Sequence, residues 1–395
     1  MPDVGTFSLL LLPVAAATGW YLARRASRLS GQTDATVNAE VNAHYLRGLN
    51  YLVNEDADKA IQVFTRLLEV DQDTVEIHLA LGNLFRRQGE VDRALRIHQN
   101  LVARPGLSDQ HRSQARFELA SDYLRAGMLD RAEDLFRELA QQRHFREQSL
   151  LGLIGIYEQE RDWQQAIDAT RQLEAVRGHS LRAVIAQYLC ELADNARRRR
   201  DFPQASCHLR DAYAEYRECV RASLMQGEIE EAQGNYENAT QLYRRVVEQD
   251  LEFAGEVIEP LSRCYERLSR PQALSEFLQD ITERYDGPAP RIAMARLLAR
   301  QGHAARALEY LAGALQSNPS WIGLDQLLQL APPAADPLQP SLDSLRAALK
   351  RVTDASPRYQ CSHCGFHART LYWQCPGCRQ WNSVTPLKDV IPKIV

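Results

Sequence analysis

Apolar positions along most of the chain recur at helical spacing, and the same pattern returns at a fixed distance. The stretch GLNYLVNEDADKAIQVFTRLL (48–68) aligns without gaps on GNLFRRQGEVDRALRIHQNLV (82–102). Glycine, aromatic and alanine positions coincide in the two stretches at an offset of 34 residues. This offset predicts a repeated helix–turn–helix unit, in which helix pairs bury their apolar faces against their neighbours.

An alanine early in each second helix marks the repeats, with successive steps of 34, 38, 34, 39, 34, 34 and 34 residues. A small residue there lets two helices approach closely, and a bulky residue four positions later lies on the same helical face. The period is that of the tetratricopeptide repeat, so we predict an all-α superhelix of about eight repeats over residues 42–330. The alanines are Ala60, Ala94, Ala132, Ala166, Ala205, Ala239, Ala273 and Ala307, and the bulky residues include Phe64, Phe136, Tyr243 and Phe277.

The turns inside the repeats carry their own signals. Gly89, Gly127 and Gly234 are predicted to end first helices, because glycine readily adopts a left-handed conformation there. The fifth repeat lacks this glycine and carries RRRR (197–200), which we interpret as a solvated helix end and turn. The 38- and 39-residue steps predict longer loops near 104–110 and 178–180.

Composition narrows the range of functions. The formal net charge is −4, which gives no electrostatic footprint for nucleic acid. The sequence contains no HExxH motif and no phosphate-binding loop, so we predict a protein without enzymatic activity. Four scattered cysteines are predicted to be small buried hydrophobic residues: Cys190, Cys207, Cys219 and Cys264.

The N-terminal residues predict a membrane anchor. Residues 4–22 carry no charge over 19 positions, long enough for a helix to span a hydrocarbon core. Arg24, Arg25 and Arg28 follow directly, and positive charge stays on the cytoplasmic side. We therefore predict a single transmembrane helix over 1–23, a juxtamembrane linker over 24–41, and the bulk of the chain in the cytoplasm.

First-helix positions away from the packing stripe are predicted to line a concave face. In the second and third repeats they include Asn83, Arg86, Arg87 and Arg125. Their donors could receive a carboxylate or an acidic segment of a partner protein. Ordinary solvated helix positions are the alternative interpretation.

Four cysteines near the C-terminus predict a metal site. A Pro-rich linker and short helix (331–356) lead into a module over 357–395, with two Cys-x-x-Cys pairs ten residues apart. Four thiolates at this spacing suit one tetrahedral ion. The predicted ligands are Cys361, Cys364, Cys375 and Cys378; Arg358, Arg369, Arg379 and Lys388 are expected to offset their charge; Tyr359, Phe366, Tyr372, Trp373 and Trp381 are expected to form a small core.

Spacing alone leaves three roles open for this module. They are electron transfer through iron, nucleic-acid reading, and a structural clip that docks on the repeats. The acidic balance of the chain argues against nucleic acid. The clip is the favoured role, because the repeats offer it a surface.

Three segments together carry a family resemblance: LLLLPVAAATGWYLARR, HLALGNLFRRQGEVDRALRIHQNL and YQCSHCGFHARTLYWQCPGCRQW. They resemble the lipopolysaccharide assembly protein B (LapB/YciM) family of Gram-negative bacteria over essentially the whole chain. The resemblance implies an adaptor on the cytoplasmic face of the inner membrane. Such an adaptor promotes degradation of the lipid A deacetylase LpxC by the membrane protease FtsH, and helps to gather other lipopolysaccharide-assembly proteins.

The resemblance also implies a rubredoxin-like module that packs on the repeats and holds one iron or zinc ion on Cys361, Cys364, Cys375 and Cys378. Two departures from a true rubredoxin argue against one-electron chemistry. The cysteine pairs are closer together, and Arg379 stands where glycine usually follows the last cysteine. An iron–thiolate redox protein or sensor is the alternative function. No nucleic acid is expected as a partner, and the array allows a homodimer.

Overall fold

The computed structural model describes residues 47, 50–51, 57–70, 74–331 and 339–388. The predicted anchor over 1–23 and the linker over 24–41 lie outside these residues. Among the helices of the described residues, none combines the length and the apolar character that a membrane span needs. The predicted repeats and the cysteine module lie almost entirely within the described ranges.

The described chain forms two compact units, and the boundary between Glu160 and Arg161 falls inside the predicted fourth repeat. In the described part of the first unit, all regular secondary structure is helical. Each of its helices contacts the next one along the chain, as the repeat pattern predicts. Its helices are α1 (Ala57–Val70), α2 (Val75–Arg87), α3 (Val91–Val102), α4 (Asp109–Arg125), α5 (Leu129–Leu139) and α6 (Arg146–Glu160).

The second unit combines helices with the cysteine module, here called the ribbon (residues 357–388). The ribbon holds a three-stranded antiparallel sheet in the order β2-β1-β3, in which Tyr359 pairs with Ala368 and Pro386. The fold is thus an all-helical tetratricopeptide-type array with a C-terminal ribbon. The helices are α7 (Trp163–Arg177), α8 (Arg182–Arg198), α9 (Phe202–Glu215), α10 (Val220–Ala232), α11 (Tyr236–Gln249), a 3₁₀ turn (Leu251–Phe253), α12 (Ala254–Arg267), α13 (Pro271–Arg284), α14 (Ala289–Arg300), α15 (Ala304–Ser317), α16 (Trp321–Leu330) and α17 (Gln339–Ala355); the strands are β1 (Tyr359–Cys361), β2 (His367–Ala368) and β3 (Val384–Pro386).

The turn inside each described repeat contains a residue in the left-handed conformation. Four repeats use glycine there, with φ of 75–86°, which confirms the predicted role of Gly89, Gly127 and Gly234. Three repeats use a residue with a side chain, with φ of 53–62°, and this conformation strains any residue that has a Cβ. The glycines are Gly89, Gly127, Gly234 and Gly302, and the other residues are Arg161, Arg200 and Ser269.

The predicted alanine is the contact point between helices in seven of the eight repeats, where its exposure is 0%. The seventh repeat differs, because Ala273 is half-buried and Leu274, which is 2% exposed, takes its place. Leu274 stands five residues after Ser269, the spacing that the other repeats have between turn residue and alanine. The prediction of Ala273 is therefore wrong by one residue, since only the turn fixes the register.

Helices are longer in both of the longer repeat steps. Helix α4 has 17 residues where α2 has 13, and α7 and α8 have 15 and 17. The loop between α7 and α8 covers only residues 178–181. Ser108 accepts a hydrogen bond from the backbone N–H of His111 and begins α4 inside the first predicted loop. The prediction of a longer loop near 178–180 is thus wrong, whereas the loop in the region of 104–110 covers residues 103–108 and is two residues longer than the one between α7 and α8.

Arg200→Gly is expected to stabilise the second unit by about 1 kcal/mol, because glycine removes the Cβ strain of a left-handed residue. Arg200 has φ of 62° and is the last residue of the RRRR run, which the sequence predicts as a helix end and turn. Gly234→Ala is the matched control, since Gly234 occupies the same turn position with φ of 82° and open space around it. It should destabilise the unit by about the same amount. Urea denaturation of both variants measures the effects, and shifts of equal sign would contradict the argument.

Candidate metal centre

Four cysteine side chains converge in the ribbon, two from each of two tight turns. Their sulfur atoms all lie within 4.8 Å of one another. Sγ of Cys361 lies 3.7 Å from Sγ of Cys378, and Sγ of Cys364 lies 3.6 Å from Sγ of Cys375. Tetrahedral ligation with metal–sulfur bonds of ~2.3 Å separates the sulfurs by ~3.8 Å. The cluster therefore fits one metal ion, with four thiolates as the predicted ligands.

Both cysteine turns have the same backbone geometry. The N–H of Gly365 donates to the carbonyl of Cys361 at 2.9 Å, and the N–H of Arg379 donates to the carbonyl of Cys375 at 2.8 Å. The residue after each second cysteine is left-handed, with φ of 75° at Gly365 and 58° at Arg379. Glycine adopts this conformation readily at position 365, because it has no Cβ. Arg379 adopts the same conformation at a cost in strain, since it carries a Cβ.

Hydrogen bonds prepare Cys361 to serve as a thiolate. Its Sγ lies 3.3 Å from Oγ of Ser383, and the N–H of Cys364 approaches it at 3.5 Å. These contacts, with Ser383 foremost, lower the pKa of the Cys361 thiol to about 6. The N–H of Phe366 lowers the pKa of Cys364, but desolvation and the neighbouring sulfurs raise it to about 12. Cys361 thus ionises ahead of Cys364, and thiols that remain protonated lose their protons on metal binding.

The ribbon has a much smaller core than the sequence predicts. Phe366 and Tyr372 are 36% and 41% exposed and contact each other on its surface, with ring centroids 6.4 Å apart. Trp373 and Trp381 pack on helices of the array. The predicted aromatic core is therefore wrong apart from Tyr359. The buried core consists of Tyr359, Cys361, Ala368, Cys375 and Val384.

Trp373 attaches the ribbon to the 3₁₀ turn and to α10. Its ring stacks on Phe253 with centroids 5.7 Å apart and an angle of 9° between the planes. The guanidinium of Arg221, on α10, lies 5.8 Å from the Trp373 centroid. Arg221 is itself held at 2.8 Å by Glu191 of α8. Stacking and cation–π attraction thus hold one edge of the ribbon on the helices.

Trp381 makes the second aromatic contact with the array. It meets Trp163 of α7 and Tyr188 of α8 edge to face, with centroids 6.2 and 5.6 Å away. The rings of Trp163 and Tyr188 stack on each other at 5.8 Å. Edge-to-face packing of this kind adds to the gain from buried area. The ribbon therefore packs on the repeats of its own unit, as the clip interpretation predicts.

Polar contacts complete the docking. The Tyr359 hydroxyl donates to Glu256 of α12 at 3.0 Å, and Nζ of Lys388 lies 3.2 Å from Glu252. Burial raises the pKa of Glu256, and the hydrogen bond from Tyr359 partly opposes that rise. Lys388 thus pairs with a helix residue, and Arg369 donates to the carbonyl of Asp354. These two residues were predicted to offset the negative charge of the thiolates, but they make docking contacts instead.

A groove opens where the ribbon meets the last helices of the second unit. Its volume is about 680 Å³, and its lining comes from α12, α14, α16, the end of α17 and the ribbon. Trp321 and Ile322 contribute apolar surface, and Ile322 is 39% exposed. Glu256 and Arg296 come from the helices, and Arg358 from the ribbon. The ribbon therefore forms one wall of the groove.

The predicted partner-binding residues of the first unit divide into two groups. Arg87 and Arg125 are exposed at the ends of α2 and α4. Arg86 instead donates to Asp122 at 2.8 Å, to Glu118 at 2.6 Å and to Asn83 at 2.7 Å. Its hydrogen-bonding groups serve an internal network, so the prediction that Arg86 receives a partner's carboxylate is corrected.

The same network contains a buried histidine whose role the sequence did not reveal. His98 and Asp122 are both 0% exposed, and Nδ1 of His98 lies 2.5 Å from Asp122. His98 follows Ala94 by four residues, the position at which Phe64, Phe136 and Tyr243 are buried in other repeats. The repeat period is therefore the signal that could have identified His98 as a core residue.

Two family models match parts of the chain. Residues 359–386 match the model described as Rubredoxin metal binding domain, and residues 45–107 and 190–250 match the Tetratricopeptide repeat model. Among solved structures, a tetratricopeptide repeat protein from Parabacteroides merdae is 12% identical, with a TM-score of 0.32. That match covers 73% of this chain and 98% of the other.

Curated relatives extend over nearly the full length. Lipopolysaccharide assembly protein B of Escherichia coli (strain K12) is 37% identical over 383 residues, covering 96% of this chain and 98% of that protein. The protein of the same name from Haemophilus influenzae is 32% identical over 391 residues, with coverage of 96% and 98%. The alignments include both the repeats and the ribbon, and they confirm the resemblance found in the sequence. The chain belongs to the lipopolysaccharide assembly protein B family.

Proposed function

We propose that this protein is a non-enzymatic adaptor of the bacterial inner membrane that promotes degradation of the lipid A deacetylase LpxC by the membrane protease FtsH. Family membership supports a role in lipopolysaccharide assembly, and helical repeats are a scaffold for binding protein segments. A single anchor over residues 1–23 holds the bulk of the chain on the cytoplasmic side. Tethering there raises its effective concentration near a membrane-bound protease and near other assembly proteins.

The observation that carries the proposal is the groove between the ribbon and the last helices. Its volume of about 680 Å³ falls within the range of ligand-binding clefts. Apolar side chains of Trp321 and Ile322 lie beside charges of both signs, Glu256 and Arg358 among them. Such a lining suits a short amphipathic segment of a client protein, which anchors apolar side chains and pairs its charges at the rim.

The metal site supports the same role by holding the groove together. Arg358, Tyr359, Leu387 and Lys388 of the ribbon line the groove. The ribbon core is too small to fold without a metal ion. Metal binding therefore controls whether the groove has both of its walls. The ion, iron or zinc, has a structural role in this proposal.

The half-life of LpxC in cells tests the function. Cells that lack this protein should degrade LpxC more slowly, and the intact chain should restore fast turnover. Ile322→Glu should restore it poorly, because the substitution places a charge in the apolar part of the groove. An LpxC half-life that is the same with and without the protein would refute the adaptor role.

Val176→Glu is the matched control for the groove. Val176 lies near the end of α7, and its exposure of 38% is close to the 39% of Ile322. It is absent from the groove lining, so the control variant should restore LpxC turnover fully. Both variants must accumulate to the level of the unaltered chain on immunoblots. Equal turnover with the two variants would assign the client to another surface.

A further inference from the structure

Two cysteines outside the ribbon face each other in the second unit. Cys190 lies on α8 and Cys219 stands at the N-terminus of α10, with their Sγ atoms 3.9 Å apart. Their exposures are 0% and 1%. Cys264 is also buried, whereas Cys207 is exposed, so the prediction of a buried residue is wrong for Cys207. The neighbouring pair therefore differs from isolated buried cysteines, which act only as small hydrophobic residues.

The surroundings shift the pKa values of the two thiols in opposite directions. The hydrogen bond with Cys190 lowers the pKa of Cys219, and the backbone N–H groups of Ala222 and Arg221 at the start of α10 act in the same direction. Burial raises the pKa of Cys190. Nε2 of Gln187 also approaches Sγ of Cys219, at 3.7 Å. One thiol at a helix N-terminus beside an arginine, with a second thiol next to it, is the arrangement of a nucleophile and its resolving partner. Because both thiols are buried, an oxidant reaches them only when this part of the unit opens locally.

We propose that Cys190 and Cys219 form a redox-active dithiol, which peroxides or small disulfides such as oxidised glutathione convert to a disulfide joining α8 to the N-terminus of α10. The sulfurs need to approach by about 1.9 Å to reach bonding distance. This is a modification site separate from the ribbon cysteines, and the proposal does not depend on the adaptor function.

The chemistry balances with either oxidant. With a peroxide, the Cys219 thiolate attacks one oxygen, the O–O bond breaks, and a sulfenic acid forms with release of water or alcohol. Cys190 then attacks the sulfenic sulfur, the S–S bond forms, and water leaves. With oxidised glutathione, Cys219 first forms a mixed disulfide and releases one glutathione, and Cys190 displaces the second. In both cases the two cysteines lose two electrons and two protons in total.

The position of the pair connects it to the ribbon. Arg221 lies two residues after Cys219 and holds both Glu191 of α8 and the ring of Trp373. Drawing Cys219 towards α8 shifts the start of α10, on which Arg221 stands. The geometry of the Arg221–Trp373 contact should therefore change with the oxidation state of the pair.

To test this, the full chain is incubated in buffers with graded ratios of reduced to oxidised glutathione until the products stop changing. Remaining thiols are then alkylated, and the linked peptides are identified by mass spectrometry, with metal content measured in parallel to confirm that the ribbon is intact. We expect a Cys190–Cys219 disulfide at ratios at least about tenfold more reducing in the folded chain than in urea, because folding holds the sulfurs together.

Controls within the same sample make the result decisive. Exposed Cys207 reports that the buffer is active, and Cys190→Ser should leave Cys219 in a mixed disulfide with glutathione instead of an internal disulfide. Recovery of Cys190 and Cys219 as separate alkylated thiols in the most oxidising buffer, while Cys207 carries glutathione, would overturn the proposal. The proposal would also be overturned if the disulfide formed at the same ratio of reduced to oxidised glutathione in the folded and in the unfolded chain.

Discussion

Replacing Cys361 and Cys364 together with serine is expected to abolish metal binding and to release the ribbon from the helices. Metal ligation contributes on the order of 10 kcal/mol to small domains that depend on it. The five buried residues of the ribbon core cannot compensate for a loss of that size. Metal analysis should fall from one ion per chain to none. Amides of the ribbon should lose protection from hydrogen exchange, while helices α1–α5 should keep theirs.

Release of the ribbon should also be visible in the contacts that it leaves behind. Phe253 loses its stacking partner Trp373, and Trp163 and Tyr188 lose Trp381. Cys207→Ser is the matched control, because Cys207 is an exposed cysteine far from the cluster in sequence. It should change neither metal content nor exchange. Retention of the ion by the double variant would refute the four-thiolate assignment.

The same metal analysis separates the two interpretations of the ribbon. An iron–thiolate site absorbs visible light and carries a redox potential, whereas a zinc–thiolate site does neither. A colourless zinc protein would reject the redox alternative. It would also agree with the strained Arg379 turn and the short spacing between cysteine pairs, which depart from a true rubredoxin.

The repeat architecture was predictable because it depends on local and periodic features. Small alanines such as Ala94 and turn glycines such as Gly89 recur at the period that helix packing requires, so sequence spacing translates directly into contacts. The register of a repeat was predictable only where the alanine and the turn glycine are both unambiguous in the sequence. At Ala273 and Leu274 two adjacent apolar residues fit the pattern, and the left-handed Ser269, which sequence does not reveal, decides between them.

The metal ligands were predictable from spacing, but the surface that the ribbon uses was not. Aromatic residues in a short module can face its own core or a neighbour, and composition does not distinguish the two. Trp373 and Trp381 face helices more than 100 residues earlier in the chain, while Phe366 and Tyr372 face outwards. Long-range packing decides these orientations. The groove beside Ile322 has the same origin, since three distant segments meet there.

Asp122→Ala is expected to destabilise the first unit by about 3–5 kcal/mol, because it removes the buried carboxylate that accepts hydrogen bonds from both Arg86 and His98. Asp122 is 0% exposed and accepts hydrogen bonds from Arg86 at 2.8 Å and from Nδ1 of His98 at 2.5 Å. His98 is also 0% exposed, and Arg86 is 18% exposed. No solvent reaches the His98 ring to replace the lost carboxylate, so the substitution uncovers a desolvation penalty that the pair normally offsets.

A surface ion pair at the start of α3, the helix that carries His98, supplies the control for this network. Glu90→Ala breaks the contact of Glu90 with Arg93 at 2.7 Å, where the side chains are 43% and 57% exposed. Such pairs contribute about 0–1 kcal/mol. Hydrogen exchange of α2–α4 amides over a urea series measures both variants locally, which is necessary because a two-unit chain need not unfold in one step. If Asp122→Ala costs no more than Glu90→Ala, the buried network is not what holds α2, α3 and α4 together. A large difference would show that the buried charged residues on these first-unit helices stabilise the array itself, and would leave Arg87 and Arg125 as the predicted partner-binding arginines that remain available.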